Sequence, residues 1–325
     1  MRQPAQRGAA LLMAMLVVTL VATFAAAAMW QQWRSVEVEA AERERVQASW
    51  ILTGASDWAR LILREDARSG GADYLAEPWA VPLQEARLST FLAADANNNA
   101  DSGPDNAFLS GQIIDQQSLL NVNNLLDAGR VSPYWLRAFQ RLFDLLGLPQ
   151  SQLTQMAENL RFANDISVDN RSSSQAPLAP QRVEQLVWLG LPVQSVAVLE
   201  PYVTLLPART TVNLNTASAE VIYAGVEGIS MADAQRLVAE RDRSHFRTIA
   251  DAAKLLSAAN LTDSELSVAS RFFEVRGRLR LDKAIIEERS LVQRDGLEVR
   301  VLQRERGVVD PTALTREAQM QPAGR

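Results

Sequence analysis

The side chains that could do chemistry are few, and their spacing serves it poorly. The 325-residue chain has one histidine, His245, and no cysteine. Histidine pairs, thiolate nucleophiles, disulfides and cysteine metal sites are therefore excluded. A serine–histidine–acid triad would have to use His245, which stands in the charged stretch RDRSHFRT with no nucleophile motif beside it. The patterns GxxxxGK[ST], GxGxxG and GxSxG are absent, so phosphate-cradling and nucleophile-elbow signatures are missing. Oxygen donors alternate at Asp95, Asn97, Asn99 and Asp101 in DANNNADSGPD, a spacing that suits a hard cation such as calcium. Ala100 replaces the sharp-turn glycine of an EF-hand and Asn106 its bidentate glutamate, so the stretch reads as an Asn-rich loop. The paired carboxylates Glu287 and Glu288 fall in an alternating charged pattern and read as surface. The net charge of −5 gives no global attraction to nucleic acid. Together these features point away from an enzyme.

The elements that would carry function begin at the N-terminus. Ala9 to Met29 contains no charged residue. As a helix it would rise about 31 Å, enough to cross a bilayer core. Arg2 and Arg7 precede it and no acid appears before Glu37, which places the N-terminus in the cytoplasm and the bulk of the chain outside. Trp30 and Trp33 follow at once, as interfacial anchors do. From Arg34 the chain runs on with no proline to residue 68, and Val46, Trp50, Ile51, Trp58, Leu61 and Ile62 recur mostly at three- and four-residue steps. The pattern predicts one long helix, apolar all round in its first half and on one side in its second. A secretory signal peptide ending near TFAAAAMW is the competing reading.

Further along, SGQIIDQQSLLNVNNLL predicts a strand over Gly111–Gln116 and a turn over Asn121–Asn124. YWLRAFQRLFDLLGL has helical spacing at Trp135, Leu136, Phe139, Leu142, Phe143 and Leu146, closed by Gly147 and Pro149. Asn164–Gln181 is polar and reads as a loop. In Thr210–Leu256, Asn215 or Thr216 is placed to cap a helix starting near Ala217, Gly228 marks a turn, and Ala234, Leu237 and Val238 lie on a second helix. After Ser270 apolar and charged residues alternate, with Gly277 and Asp295–Gly296 as punctuation; Asp-Gly between such runs predicts a hairpin. The arginine-rich positions read as a solvated sheet face.

The leader and long helix resemble the spine of type IV pilins and type II secretion pseudopilins. In that family a basic leader ends in glycine, and a membrane prepilin peptidase cuts after it and N-methylates the new first residue. The resemblance puts the cut between Gly8 and Ala9, with Ala9 methylated. Most members carry a glutamate at the fifth mature position, which here is Met13. Absence of that acid is typical of the K-type minor pseudopilins of the type II secretion system (general secretion pathway protein K). The run of a strand into NVNNL also resembles that type. Thr210–Leu256 resembles a helix-hairpin-helix unit, which elsewhere binds DNA through a Gly-x-Gly hairpin; Ser230 replaces the second glycine here. Thr211–Ser257 holds six acids and five bases, where a phosphate-reading face needs basic excess.

The resemblance implies an α+β fold: a pilin-like long N-terminal helix plus an antiparallel sheet, with a large inserted all-α (helix-hairpin-helix/SAM-like) domain. The expected parts are a leader at 1–8, the transmembrane half of the helix at 9–29, its amphipathic periplasmic half at 30–68, and the first part of the body at 69–125. The inserted helical domain follows at 126–270, with its hairpin unit at 210–257, then C-terminal strands at 271–311 and a loose tail at 312–325. The implied protein is non-enzymatic and single-pass in the bacterial inner membrane, with a periplasmic C-terminal domain. It would help initiate and cap the pseudopilus tip for export of folded proteins. The implied partners are I-, J- and H-type minor pseudopilins and the prepilin peptidase, with no nucleic acid. Relatives can bind calcium through a loop of the inserted domain; the corresponding stretch has only Asp165, Asp169 and Asn170 as donors, so calcium is an open expectation. A membrane-tethered DNA-uptake protein and a secreted soluble protein are the alternatives.

Overall fold

The computed structural model describes residues 7–89, 107–165, 176–256, 261–281 and 284–308. Helix α1 runs over Arg7–Ser69. No proline interrupts it and its one internal glycine after Ala9, Gly54, has open space beside it. Residues 1–54 and 55–325 form two separate compact units. In the first unit, the side chains from Leu11 to Phe24 are exposed throughout the apolar run. Thr19 and Thr23 donate back to the carbonyls of Leu16 and Leu20, so the hydroxyls of this run have partners without water.

The second unit is built on a five-stranded antiparallel sheet. Its strands are β1 (Leu83–Arg87), β2 (Ala107–Asp115), β9 (Phe272–Leu281), β10 (Ala284–Asp295) and β11 (Glu298–Val308), in the order β1-β2-β9-β10-β11. Period-two alternation sends Phe273, Val275, Val292 and Val299 to one face. There they form a core with Ile113, Trp79 and the last turns of α1 through Ala59 and Leu63. The β10–β11 hairpin forms as the Asp-Gly signal predicts: Asp295 ends β10 opposite Glu298, and the two turn residues are Gly296, at φ 57°, and Leu297. Gly277 does not punctuate: it lies mid-strand opposite Gly111, where the two chains approach so closely that a Cβ on Gly111 would sit 2.9 Å from the Arg276 carbonyl. Of the strand predicted at 111–116, residues 111–115 are the second half of the longer β2, whose start precedes the alternating run noticed in the sequence; Gln116 already belongs to a 3₁₀ turn.

Strands β2 and β9 are neighbours in the sheet, yet residues 116–271 lie between them. This insertion has its own core. Its helices are α2 (Pro133–Leu145), α3 (Gln150–Ala163), α4 (Val193–Leu199), α5 (Ala219–Gly225), α6 (Met231–Arg243) and α7 (Ile249–Ala253). Helix α2 begins with proline at its first turn, where no amide is needed, and buries Trp135, Phe139, Leu142 and Phe143 on one stripe. Gly147 at φ 68° ends it. Two-residue strands stitch the insertion: β3 (Leu120–Asn121) with β6 (Val203–Thr204), β4 (Leu126–Asp127) with β5 (Arg130–Val131), and β7 (Val212–Asn213) with β8 (Leu266–Ser267). The 312–325 tail lies outside the described residues.

Candidate functional site

Three places are candidates for function among the described residues: the apolar anchor, the polar seam where the insertion meets the sheet, and the helical hairpin inside the insertion. In the anchor, Gly8, Ala9 and Met13 all lie on α1, and Met13 is exposed. The Trp30 and Trp33 rings lie 5.7 Å apart at the end of the apolar run. One helix among the described residues is long and apolar enough to cross a membrane.

The seam is organised around Arg294, at the end of β10. Its guanidinium donates to Asp66 at 2.6 Å, to both Asp73 oxygens at 2.5 and 2.7 Å, and to the Ser270 carbonyl at 2.8 Å. It also lies 4.8 Å over the Phe273 ring. Asp73 accepts from the Ser270 amide as well. Glu77 accepts from the Tyr74 amide and the Trp79 indole. Asp66, Asp73 and Glu77 converge closely enough to suggest a metal site. The cation among them is the guanidinium, bound directly to Asp66 and Asp73.

One step deeper, Asp115 at the end of β2 is buried. Its carboxylate accepts from the Gln117 amide, the Thr216 and Ser270 hydroxyls and the Asn213 side-chain amide. Burial raises this carboxyl above the ordinary range even against those donors. Asn213 also donates to the Asp73 carbonyl. The chain leaving the sheet at Asp115, the insertion at Asn213 and Thr216, the return at Ser270 and the loop after α1 are thus one hydrogen-bonded unit.

The asparagines of NVNNL have a mechanical role. Asn124 donates to the Thr210 carbonyl and accepts from the Thr210 amide, as a strand neighbour would. Asn121 accepts from the Leu206 amide and donates to the Ala208 carbonyl, and Asn123 donates to the Leu206 carbonyl. The turn predicted at Asn121–Asn124 is a 3₁₀ turn over Val122–Leu125, capped by Asn121, whose side chains clamp residues 206–210.

In the hairpin unit the cap of α5 is Ser218, not Asn215 or Thr216. Asn215 is taken by a two-way bond with the Phe246 backbone, and Thr216 by Asp115. Gly228 has φ 81° and turns the chain into α6. The first turn of α6 is closed by a capping box, Ser230 with Asp233. A carboxylate thus occupies the helix N-terminus, where a DNA-binding hairpin presents amides to phosphate. Glu227 in the same turn is held by Arg137 and flanked by Arg141, which also caps the Ala224 carbonyl.

The sequence placed Glu288 on the surface; it is buried, 2% exposed, on the sheet face that carries Val292. Arg304 and Arg306 pair with it across the β10–β11 ladder. Strand period explains the correction. Counting back by two from Val292 sends Ser290 and Glu288 inward, and counting forward sends Arg294 inward. A charge at an inward position was the available signal for Arg294 and Glu288. Nothing local marked Asp66 and Asp73 as its partners, 228 and 221 residues away. His245 stacks on Tyr74 at 3.8 Å between ring centroids, a packing contact and no part of a triad. Asp165 follows α3 at the edge of the described residues; Asp169 and Asn170, like Asp95, Asn97, Asn99 and Asp101, lie outside them. Calcium takes about six to eight oxygens, and two carboxylates with one amide fall short of that set by themselves.

Family models described as "Type II secretion system (T2SS), protein K" match residues 118–208 and 212–270. Their junction falls at the stretch gripped by the NVNNL asparagines. The chain is 27% identical to the type II secretion system protein K of Pseudomonas aeruginosa, over 93% of this chain and 93% of that protein. It is 26% identical to the protein of the same name from Pectobacterium carotovorum, over 93% and 97%. A chain in the crystal structure of the GspK-GspI-GspJ complex from the enterotoxigenic Escherichia coli type 2 secretion system has the same fold. The TM-score is 0.58 at 21% identity, over 82% of this chain and 98% of that one.

Proposed function

We propose that this chain, which belongs to the type II secretion system protein K family and is a minor pseudopilin, helps to start the pseudopilus and caps its tip. The observation that carries the reading is the insertion of residues 116–271 between the adjacent strands β2 and β9. It adds a second core to a pilin-like sheet, at the end of the body where α1 finishes and Arg294 meets Asp66. Bulk in that place suits a subunit that nothing is stacked above. Met13 supports the same reading. A carboxylate at that depth is costly in lipid unless paired, and a first subunit has no neighbour ahead of it with which to pair.

Residues 9–29 serve as a single membrane anchor, entered with Arg2 and Arg7 on the cytoplasmic side and the second unit in the periplasm. The leader is removed between Gly8 and Ala9. The partners are minor pseudopilins of the I, J and H types; the complex named for the structurally similar chain supports the first two.

The chain has no cysteine, so one can be introduced cleanly. With Val193→Cys, an exposed position on α4, a gold-labelled maleimide should decorate one end of isolated pseudopili. Label spread along the filament would sink the capping role.

A further inference from the structure

Asp66, Asp73 and Glu77 bring three carboxylates together around one guanidinium at the seam between the insertion and the sheet body, and Asp115 lies behind them, close enough to act on Asp73. The other charged groups at the cluster are Arg271 and Asp295 at its rim, which pair with each other; the Tyr74 ring beside Asp73 stacks on His245. With those acids ionised, one cation faces three anions in a largely buried place, which repulsion and desolvation oppose. A cavity of about 240 Å³, lined by Asp66, Asp73, Glu77 and Arg294, gives water access to the carboxylates.

We propose that the Asp73 and Glu77 carboxylates, set beside the Arg294–Asp66 ion pair, form a proton-operated latch, which seats the insertion firmly on the sheet body while a proton is held between them and slackens when that proton is lost. The geometry supplies the coupling. Asp73 holds the Ser270 amide and, through its own carbonyl, the Asn213 side chain, so it touches the insertion in its interior and at its returning end. Burial pushes the Asp73 carboxyl up to about 6, against the pull of Arg294. Burial likewise pushes Glu77 up to about 7, with Asp66 and Asp73 adding to the rise and the Tyr74 and Trp79 donors opposing it. Both groups ionise higher in the folded chain than in the unfolded one. The stabilisation they give is therefore full below about pH 4 and is lost as pH rises through about 6 to 7. The seam is tight on the acid side of neutrality and looser on the alkaline side.

The test is hydrogen–deuterium exchange of the full chain in detergent at about pH 5.5 and about pH 8, corrected for intrinsic exchange. Amides of residues 212–216 and 268–272 should open about tenfold more readily at the higher pH, while those of α2 stay unchanged. Glu77→Gln keeps an acceptor for the Tyr74 and Trp79 donors and removes one titrating charge, so it should hold the seam closed at both values. A melting temperature that falls from pH 5.5 to 8 in the wild type, and falls much less in Glu77→Gln, would agree. Equal pH dependence in the two proteins, or opening spread evenly over the insertion, overturns the proposal.

Discussion

Arg294 and Asp73 stand 221 residues apart in sequence and meet in a two-oxygen ion pair, 2.5 and 2.7 Å, with both side chains nearly closed off from solvent. The pair joins the β10–β11 hairpin to the segment that follows α1. Both belong to the sheet body, and the insertion is held to them through Ser270 and Asn213.

Removing the guanidinium leaves Asp66 and Asp73 buried without their cation. Arg294→Met should cost about 3–5 kcal/mol in denaturant unfolding of the full chain in detergent. The double variant Arg294→Met, Asp73→Asn should cost clearly less than the sum of the singles, because it removes the stranded charge along with its partner. Simple additivity would show that the pair is not coupled.

Much of this architecture was legible in the residues. The charge-free run to Met29, the proline-free stretch behind it and the Asp-Gly turn each report a local preference, and each element formed where its period indicated. The failures share one cause. Glu288 was read from its charge when its strand position points inward, and Asn215 and Thr216 were read as local caps when long-range partners claim them. Position in the sheet and partners from another element override local propensity, and neither is visible in a window of ten residues. The Arg294 seam draws on α1, β2, the insertion and β10, so it became legible only once those four were assembled.

The NVNNL clamp gives a sharper local test. Asn124→Ala leaves the Thr210 amide and carbonyl without their partner. The expected cost is about 1–3 kcal/mol, with limited proteolysis moving to residues 206–211. Asn124→Asp keeps the acceptor for the amide and sets a carboxylate against the Thr210 carbonyl, so it should be no better tolerated. Unchanged protease resistance in both variants would remove the clamp from the account.

Gly111 should tolerate no side chain. An added Cβ meets the backbone carbonyl of Arg276, which cannot swing aside as a side chain would. Gly111→Ala should cost about 1–3 kcal/mol, whereas Gly54→Ala, with open space and a helical backbone, should stabilise by about 0.5–1 kcal/mol. Thermal melts of the two variants side by side check the contrast; a neutral Gly111→Ala would mean that the β2–β9 approach is looser than 2.9 Å.

The hairpin unit should not hold DNA. Asp233 fills the N-terminus of α6, and Glu227 lies in the turn before it. A phosphate would have to displace one carboxylate and sit beside another. Fluorescence anisotropy with a labelled duplex at low salt should show no binding by the full chain. Salt-sensitive binding that is lost in Arg236→Ala would revive the DNA-uptake reading.

The leader separates the remaining alternatives. If the peptidase reads Arg7–Gly8, the mature chain recovered from membranes starts at Ala9 with a methylated amine, and intact-mass measurement shows both features at once. The anchor is then retained, and carbonate washing leaves the protein in the membrane fraction. A signal-peptide cut within TFAAAAMW would instead start the chain near Met29 and discard the apolar run that covers a bilayer's thickness. Gly8→Ala should block the first route and leave the leader attached. It should not affect the second, whose cleavage site lies about twenty residues on in the small-residue region. A Gly8→Ala chain that still matured would therefore remove the pilin-type processing from this account.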